Sequence, residues 1–256
     1  MYISVQSLIL VLRRYKSVRA KGPHLDIRLN GLIVIVGNYG SGKTEVSINL
    51  AVNRKRAGLS VGIADLDLVN PYFRTREART TLTDLGIQVI LPPEPYLQAD
   101  LPVLSPTIAG MIRNPGELLI LDVGGNDVGA TVLAALADAF SGKKVHMLQV
   151  VNPLRPQTNT VSACLTLRNE IETAAQLTIT GLIGNANLID ETTDEDIYSG
   201  YEFVQSVSQE SGLPLAFITV SQELLPKIDM KRFACAVLPI ARQLVPPWLK
   251  VGEFRN

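Results

Sequence analysis

Short apolar runs rich in β-branched residues alternate along the chain with longer stretches whose apolar positions recur at helical spacing. The run from Leu32 to Val36 is apolar at every position, which is typical of a strand buried on both faces of a parallel sheet. The stretch from Glu45 to Ala57 follows closely and predicts an amphipathic helix that ends at Gly58.

The same alternation continues through most of the chain. It predicts strands at 60–64, 86–91, 117–121, 144–151, 177–184 and 215–220, with helices at about 130–140, 158–174 and 192–211. For 231–251 it predicts an apolar helical stretch that packs back on the sheet. This order predicts an α/β fold: a doubly wound, mostly parallel sheet with helices on both faces and ligand sites at the carboxyl ends of its strands.

Composition supports one folded domain, since the 256 residues are 46% apolar and 19% charged. Lys plus Arg and Asp plus Glu both number 24, so no net positive charge favours nucleic acid, and we expect none as a partner. Cys164 and Cys235 lie far apart, which fits a reducing cytoplasm and argues against a Cys-ligated metal site. His24 and His146 have no metal-ligand spacing.

A glycine-rich motif lies between the first predicted strand and the first predicted helix. It matches the P-loop pattern GxxxxGK[ST] in full, over Gly37, Asn38, Tyr39, Gly40, Ser41, Gly42, Lys43 and Thr44. Its backbone N–H groups and the helix N-terminus are expected to point at phosphate oxygens, so we count Glu45 with these nucleotide-binding residues. Lys43 is expected to reach the β- and γ-phosphates, and the Thr44 hydroxyl to bind Mg²⁺.

Aspartates end two of the predicted strands. Asp122 begins an Asp-x-x-Gly pattern that ends at Gly125, so we expect the carboxylate near Mg²⁺ and the glycine N–H near the γ-phosphate. Asp65 and Asp67 follow the strand at 60–64 and lie on one side of it because they are two residues apart. One can help hold Mg²⁺ and the other can orient an attacking water, although two turn residues would show the same spacing.

These three elements in this order resemble the MinD/ParA/CobQ-type P-loop ATPases of the SIMIBI class, over roughly 32–220. The resemblance implies that Asp65-x-Asp67 is the switch I region, with Asp67 orienting the water and Asp65 on the Mg²⁺ side, and that Asp122-x-x-Gly125 is switch II. It also implies an ATP-sandwiched homodimer and a partner-stimulated switch. Asn38 departs from the family pattern, because MinD/ParA proteins carry a signature lysine there. The departure favours an offshoot of the class, where related members are metallochaperone NTPases or ATP-dependent ligases and kinases.

The base of the nucleotide is predicted from two later segments. No NKxD guanine motif occurs in the chain, so we expect ATP rather than GTP. Asn185 and Asn187 follow a late strand where this class reads its base, which makes Asn185 the candidate for the adenine edge and a plain turn the alternative. Arg155 follows the strand at 144–151 and is expected either to stabilise transferred phosphate charge or to hold its loop.

The N-terminal segment is set apart from this pattern, so we divide the chain into an extension, 1–25, and a P-loop NTPase domain, 26–256. In the extension an apolar run is followed by basic residues at Arg13, Arg14, Lys16, Arg19 and Lys21. This is compatible with a helix lying on anionic lipid, and also with an arm packed on the domain.

The function expected from these features is a cytoplasmic Mg²⁺-dependent ATPase with slow intrinsic turnover that acts as a switch, with a protein partner. The main alternative is an enzyme that phosphorylates or ligates a small molecule, whose acceptor would lie between the Asp65 to Phe73 loop and the proline-rich segment 91–106. A module that binds nucleotide without hydrolysing it is a third. All three share the motifs described, so the sequence leaves them open.

Overall fold

The computed structural model describes residues 26–67, 75–91, 106–245 and 251–254, without the side chains of Arg76 and Asn126. The strands in these ranges are β1 (Gly31–Gly37), β2 (Val61–Leu66), β3 (Gln88–Ile90), β4 (Leu118–Val123), β5 (Val145–Val151), β6 (Gly181–Gly184), β7 (Leu215–Ser221) and β8 (Ala236–Ile240). The α-helices are α1 (Lys43–Arg56), α2 (Arg79–Asp84), α3 (Pro106–Arg113), α4 (Asn126–Ala134), α5 (Ala137–Phe140), α6 (Val161–Ala175) and α7 (Asp194–Ser211).

The described strands form one sheet in the order β3-β2-β4-β1-β5-β6-β7-β8, and every neighbouring pair is parallel. Strands β2 and β3 lie on one side of β1, and β4 lies between β2 and β1. Strands β5 to β8 follow in chain order on the other side of β1. The strand order therefore reverses beside β1, and a crevice at the carboxyl ends of β1, β4 and β5 is the expected ligand site of such a sheet.

Strand β1 is buried on both faces, which accounts for its unbroken apolar run. Ile33 and Ile35 belong to a hydrophobic layer shared with α1, whereas Leu32, Val34 and Val36 belong to a second layer shared with α3 to α6. All five side chains are at most 1% exposed. This packing on two sides fixes the end of β1, and with it the start of the glycine-rich loop.

The predicted fold class, a doubly wound parallel α/β sheet, is confirmed. The helix predicted at 130–140 is interrupted and forms α4 and α5, and α3 adds a helix that the pattern did not predict. Within the described ranges, no helix has the length and apolar content to cross a bilayer. The extension at 1–25, most of the acceptor segment predicted at 91–106, and residues 68–74 lie outside the described residues.

The end of the chain corrects one prediction. The helical stretch expected at 231–251 is wrong at 236–240, which form β8 and add an eighth described strand beside β7. Pro239 explains the location, because proline lacks an N–H and is tolerated in a sheet at an edge strand. The strand at 215–220 is therefore not the last one of the sheet.

Candidate functional site

Glycines build the loop that joins β1 to α1. Gly37 has φ 147°, and a Cβ on it would lie 2.5 Å from the carbonyl oxygen of Val150 on the neighbouring strand β5. Gly42 has φ 90°, and a Cβ on it would collide with the side-chain amide of Asn185. Both positions require glycine, for conformation and for space. The loop predicted from Gly37 to Thr44 thus folds tightly over the ends of β1, β5 and β6.

Lys43 lies in this loop as a buried cation, with 7% of its surface exposed. Its Nζ donates a hydrogen bond to the carbonyl oxygen of Asn38 at 2.8 Å. Burial lowers the pKa of Lys43, and the nearby carboxylates of Asp122 and Asp67 oppose that shift. The predicted phosphate-binding lysine and two of the predicted acidic residues are therefore brought together.

Asp122, in β4, is fully buried among hydroxyl groups. Its carboxylate oxygens accept hydrogen bonds from Ser47 Oγ at 3.2 Å and Thr75 Oγ1 at 2.7 Å, and a third comes from the Thr44 side chain. Burial and the adjacent charge of Asp65 raise the pKa of Asp122 to about 7, against the opposing effects of these hydrogen bonds and of Lys43. A cation at this position would stabilise the carboxylate that burial disfavours.

Asp65 and Asp67 lie beside Asp122 at the same edge of the sheet. Asp65 is the register partner of Asp122 on β2, and it accepts a hydrogen bond from the Asp67 backbone N–H at 3.0 Å. The carboxylate of Asp67 reaches the next loop, where it lies 2.8 Å from the point that a Cβ on Gly124 would occupy. The two regions assigned by resemblance to switch I and switch II are thus in contact.

Gly125 lies directly against the glycine-rich loop. A Cβ on it would be 2.9 Å from the backbone N and Cα of Tyr39 and 3.3 Å from Nζ of Lys43. Only a residue without a side chain permits this approach. Gly125 therefore lies close to Lys43, and the contact of its N–H with a terminal phosphate stays a prediction.

Three buried polar atoms around this loop have no hydrogen-bond partner in the described structure: Asn38 Oδ1, Ser41 Oγ and Arg155 Nε. An unpaired buried polar group costs roughly 1–3 kcal/mol, so such atoms are rare unless a ligand satisfies them. Ser41 Oγ and Arg155 Nε can both donate to phosphate oxygens. The loop, its lysine and these atoms fit a nucleotide phosphate chain.

The donors present also fit Mg²⁺. No group of three or more His, Cys, Asp or Glu side chains able to hold a metal ion occurs in the described part of the chain. Mg²⁺ commonly uses one or two carboxylates, with water and phosphate oxygens completing its shell, and does not need such a cage. Thr44, Asp65 and Asp122 offer one hydroxyl and two carboxylates at one edge of the sheet.

Two predicted nucleotide-binding side chains are engaged elsewhere. Asn185 donates from Nδ2 to the carbonyl oxygen of Ser41 at 2.6 Å and accepts a hydrogen bond from Thr219 Oγ1, so its amide holds the loop. Contact with the base stays a prediction. The Glu45 carboxylate accepts hydrogen bonds from the backbone N–H groups of Gln243 and Leu244, at 2.8 Å and 3.0 Å, and points to the end of the chain. A nucleotide contact from Glu45 would therefore come from its backbone.

Several residues of the site were not predicted from the sequence. Ser47 follows Thr44 by three residues on α1, so helical spacing alone could have placed it beside Asp122. Thr75 and Thr219 carry no local signal, because they reach the site only through the fold. Asn152 follows β5 directly and was assigned no role from the sequence, yet its Nδ2 donates to the Asn187 carbonyl oxygen at 2.9 Å and connects two loops of the site.

Comparison with known proteins adds a second line of observation. No protein-family model matches the chain. A stretch of 108 residues, 41% of the chain, is 32% identical to the Signal recognition particle 54 kDa protein of Saccharolobus islandicus strain L.S.2.15, of which it covers 23%. The same protein of strain Y.G.57.14 is 31% identical over 108 residues. The chain thus matches less than a quarter of the length of these relatives.

Solved structures share the architecture at low sequence identity. Cell division protein FtsY of Thermotoga maritima superposes with a TM-score of 0.53 at 18% identity, over 84% of this chain and 69% of that one. The Signal recognition particle 54 kDa protein of Aeropyrum pernix, solved in complex with GDP, gives 0.50 at 17% identity, over 78% and 43%. Chloroplast FtsY of Physcomitrella patens gives 0.50 at 18% identity, over 83% and 67%.

The chain has the fold of a P-loop NTPase. The sequence match to signal recognition particle proteins supports the SIMIBI class predicted from the motifs. It does not confirm the MinD/ParA/CobQ branch of that class, since the matches fall on another branch.

Proposed function

We propose that this chain is a Mg²⁺-dependent nucleoside triphosphatase that binds its nucleotide at the loop 37–44 and works as a switch. The observation that carries the proposal is that two buried donors without hydrogen-bond partners in the described structure, Ser41 Oγ and Arg155 Nε, lie at a loop that already holds Lys43. A phosphate chain would satisfy both donors and would offset the cost of burying them.

The residues predicted to contact the phosphates, Mg²⁺ and the attacking water each take a role in this proposal. Loop N–H groups and Lys43 bind the phosphates, and the Gly125 N–H contacts the terminal one. Thr44, Asp65 and Asp122 would hold Mg²⁺, which when bound neutralises charge on the phosphates. Asp67 orients the water that attacks the terminal phosphoryl group. Catalysis then consists of positioning and charge stabilisation, which explains why slow intrinsic turnover is expected.

The nucleotide base is proposed as adenine, with guanine as the second candidate. Adenine follows from the sequence, which contains no NKxD motif. Guanine is favoured by the GDP bound in the Aeropyrum pernix structure of similar fold. Turnover of Mg²⁺-ATP and Mg²⁺-GTP, each measured with the other as competitor, separates the two.

Assembly with a protein partner, either a second copy or another chain, belongs to the same proposal. Tyr39 is 62% exposed on the loop and Val128 is 64% exposed in the first turn of α4, both at the carboxyl edge of the sheet. Exposed apolar groups beside a ligand site suit a protein interface. The division at residue 26 and a location in the cytoplasm remain predictions.

The test is phosphate release from Mg²⁺-ATP and Mg²⁺-GTP by the wild type and Asp67→Asn, with nucleotide affinity measured by calorimetry on the same samples. We expect Asp67→Asn to retain affinity and to lose turnover by about a hundredfold, because a neutral amide oxygen is a weaker hydrogen-bond acceptor than a carboxylate and does not take up a proton from the attacking water. Asp84→Asn, at the exposed end of α2, is the matched control and should behave as wild type.

One outcome would count against hydrolysis, and another against the role of Asp67. Tight binding with no phosphate release by the wild type would favour the small-molecule kinase or ligase, which needs its acceptor, or a module that only binds. Equal turnover in Asp67→Asn and wild type would remove Asp67 from the mechanism.

A further inference from the structure

Among the buried polar atoms of the described residues that have no hydrogen-bond partner, Arg155 Nε is the one that belongs to a residue outside the glycine-rich loop. Arg155 follows β5, the strand that pairs with β1, and Gly37 is the register partner of Val150 there. Its buried Nε lies 3.9 Å from the point that a Cβ on Gly40 would occupy. The guanidinium group therefore reaches the middle of the loop from the neighbouring strand end.

The loop that carries Arg155 is a closed, hydrogen-bonded turn. The side-chain oxygen of Asn152 accepts a hydrogen bond from the Leu154 N–H at 3.1 Å. The backbone carbonyl oxygen of Asn152 accepts from the Arg155 N–H at 3.2 Å and from Thr158 Oγ1 at 2.6 Å. The Arg155 carbonyl oxygen accepts from the Thr158 N–H at 3.0 Å. Asn152 and Thr158 are buried, so the turn is anchored at both ends. The backbone from which the Arg155 side chain extends is therefore fixed by the turn.

Among the described residues around Lys43, acidic side chains outnumber basic ones at this edge of the sheet. Lys43 lies near Asp122 and Asp67, and Asp65 is the register partner of Asp122; all three acidic residues are at most 4% exposed. A bound Mg²⁺ would offset part of this negative charge, and a further positive group beside the loop would favour a polyphosphate more strongly.

We propose that Arg155 donates from its guanidinium group to the phosphate chain of the bound nucleotide at Gly40 and stabilises the charge that develops during phosphoryl transfer. The inference rests on the proposed function and deepens it by naming a cation supplied by this chain itself. Arg155 Nε is a buried donor without a partner in the described structure, and a planar guanidinium can hold phosphate oxygens through two parallel bonds. A donor of this kind acts most strongly where charge develops.

The test compares wild type with Arg155→Met, which keeps the length of the apolar stem, and Arg155→Lys, which keeps the charge without the Nε donor. Arg113→Met is the matched control, since Arg113 is exposed at the end of α3, just before β4, and so at the opposite edge of the sheet. Two quantities are measured: the affinity for Mg²⁺-nucleoside triphosphate and diphosphate by calorimetry, and the rate of phosphate release.

We expect Arg155→Met to lower turnover by about a hundredfold and Arg155→Lys by less. The preference for triphosphate over diphosphate should also fall in Arg155→Met by about tenfold, a change that a purely structural arginine would not cause. Arg113→Met should retain both values.

The outcomes separate the inference from the function on which it rests. A wild type that binds no nucleotide overturns the proposed function before any variant is compared. A wild type that binds and releases phosphate, with Arg155→Met within roughly twofold of it in turnover and in phosphate preference, overturns the role of Arg155 alone. If Arg155→Met does not fold, Arg155→Lys decides: reduced turnover with a wild-type melting temperature supports the contact, and wild-type turnover and preference contradict it.

Discussion

The carboxyl edge around β1 and the outer corner formed by α7 and β8 follow opposite rules for polar groups. In the corner, Tyr198 Oη accepts from the Asp229 N–H at 2.8 Å and Tyr201 Oη from the Ala234 N–H at 2.9 Å, while both rings pack on Phe233. At the β1 edge, buried polar atoms are left without partners. The corner is built for stability, and the edge keeps hydrogen-bonding capacity for a ligand at the expense of stability.

The strongest way to test the corner is Phe233→Ala. Phe233 is 2% exposed and contacts both tyrosine rings, so its removal leaves a cavity, and we expect the free energy of unfolding to fall by about 4 kcal/mol. Urea denaturation measures the loss. Val251→Ala, at a residue that is 52% exposed, should change stability by less than about 0.5 kcal/mol. A tenfold loss of nucleotide affinity in folded Phe233→Ala would contradict the assignment of the corner to stability alone.

At the carboxyl edge around β1 we expect the opposite effect: a substitution of a buried polar residue there should stabilise the ligand-free protein. The pKa of Asp122 is raised from 3.8 to about 7. The folded protein therefore loses stability progressively as pH rises between these two values, because ionisation is less favourable in the folded state than in the unfolded one. Asp122→Asn should therefore unfold less readily than wild type at pH 8, by roughly 2 kcal/mol or more, since each pKa unit is worth about 1.4 kcal/mol. The advantage should shrink as pH falls toward 4.

This pH dependence is read from urea denaturation of both proteins between pH 4 and pH 8. An advantage that is constant with pH would mean that the Asp122 carboxyl does not titrate in this window. The same substitution should weaken Mg²⁺-dependent nucleotide binding, because an amide replaces a carboxylate in the proposed cation site.

Gly125→Ala tests the close approach at the edge. The backbone of Gly125, at φ −68° and ψ 150°, suits any residue, so the effect comes only from the methyl group placed 2.9 Å from Tyr39. We expect turnover to fall about tenfold as the loop is displaced. Gly110→Ala, in open space within α3, should instead stabilise the protein by about 0.5–1 kcal/mol. Unchanged turnover in Gly125→Ala would show that this approach is not required.

The smallest effect is expected from the cap of α7, next to the corner. The Thr193 hydroxyl accepts from the Asp196 N–H at 3.2 Å within a capping box. Thr193→Ala should lower the free energy of unfolding by about 1 kcal/mol, measured by urea denaturation. Ser199→Ala, whose exposed hydroxyl only bonds back to its own helix, should lie within about 0.5 kcal/mol of wild type. A larger loss in Ser199→Ala than in Thr193→Ala would contradict the role given to the cap.

The fold was largely predictable because its signals are local. The unbroken apolar run of β1 and the motif that follows it are read within about a dozen residues, and strand–helix alternation then dictates a parallel sheet. β8 was missed for the same reason: its short run contains Pro239, and it becomes a strand only because β7 offers an edge. Tertiary pairing decided where the local pattern did not.

The residues of the site likewise fall into those that the local pattern predicted and those that depend on tertiary contacts. Asp65, Asp67, Asp122 and the loop residues were predicted because parallel strands bring their carboxyl ends to one edge. The contacts of Thr75 with Asp122 and of Glu45 with Gln243 join residues far apart in the chain, the second separated by 198 positions. Side-chain direction at such contacts depends on packing, which no local pattern specifies.

The most direct test of the account is calorimetric binding of Mg²⁺-ATP and Mg²⁺-GTP to wild type and Lys43→Ala. If the buried polar edge is a phosphate site, wild type binds at least one of the two, and Lys43→Ala loses that binding while it stays folded. If wild type binds neither nucleotide, the loop, its lysine and its unpaired atoms serve something other than a nucleotide, and the central claim fails.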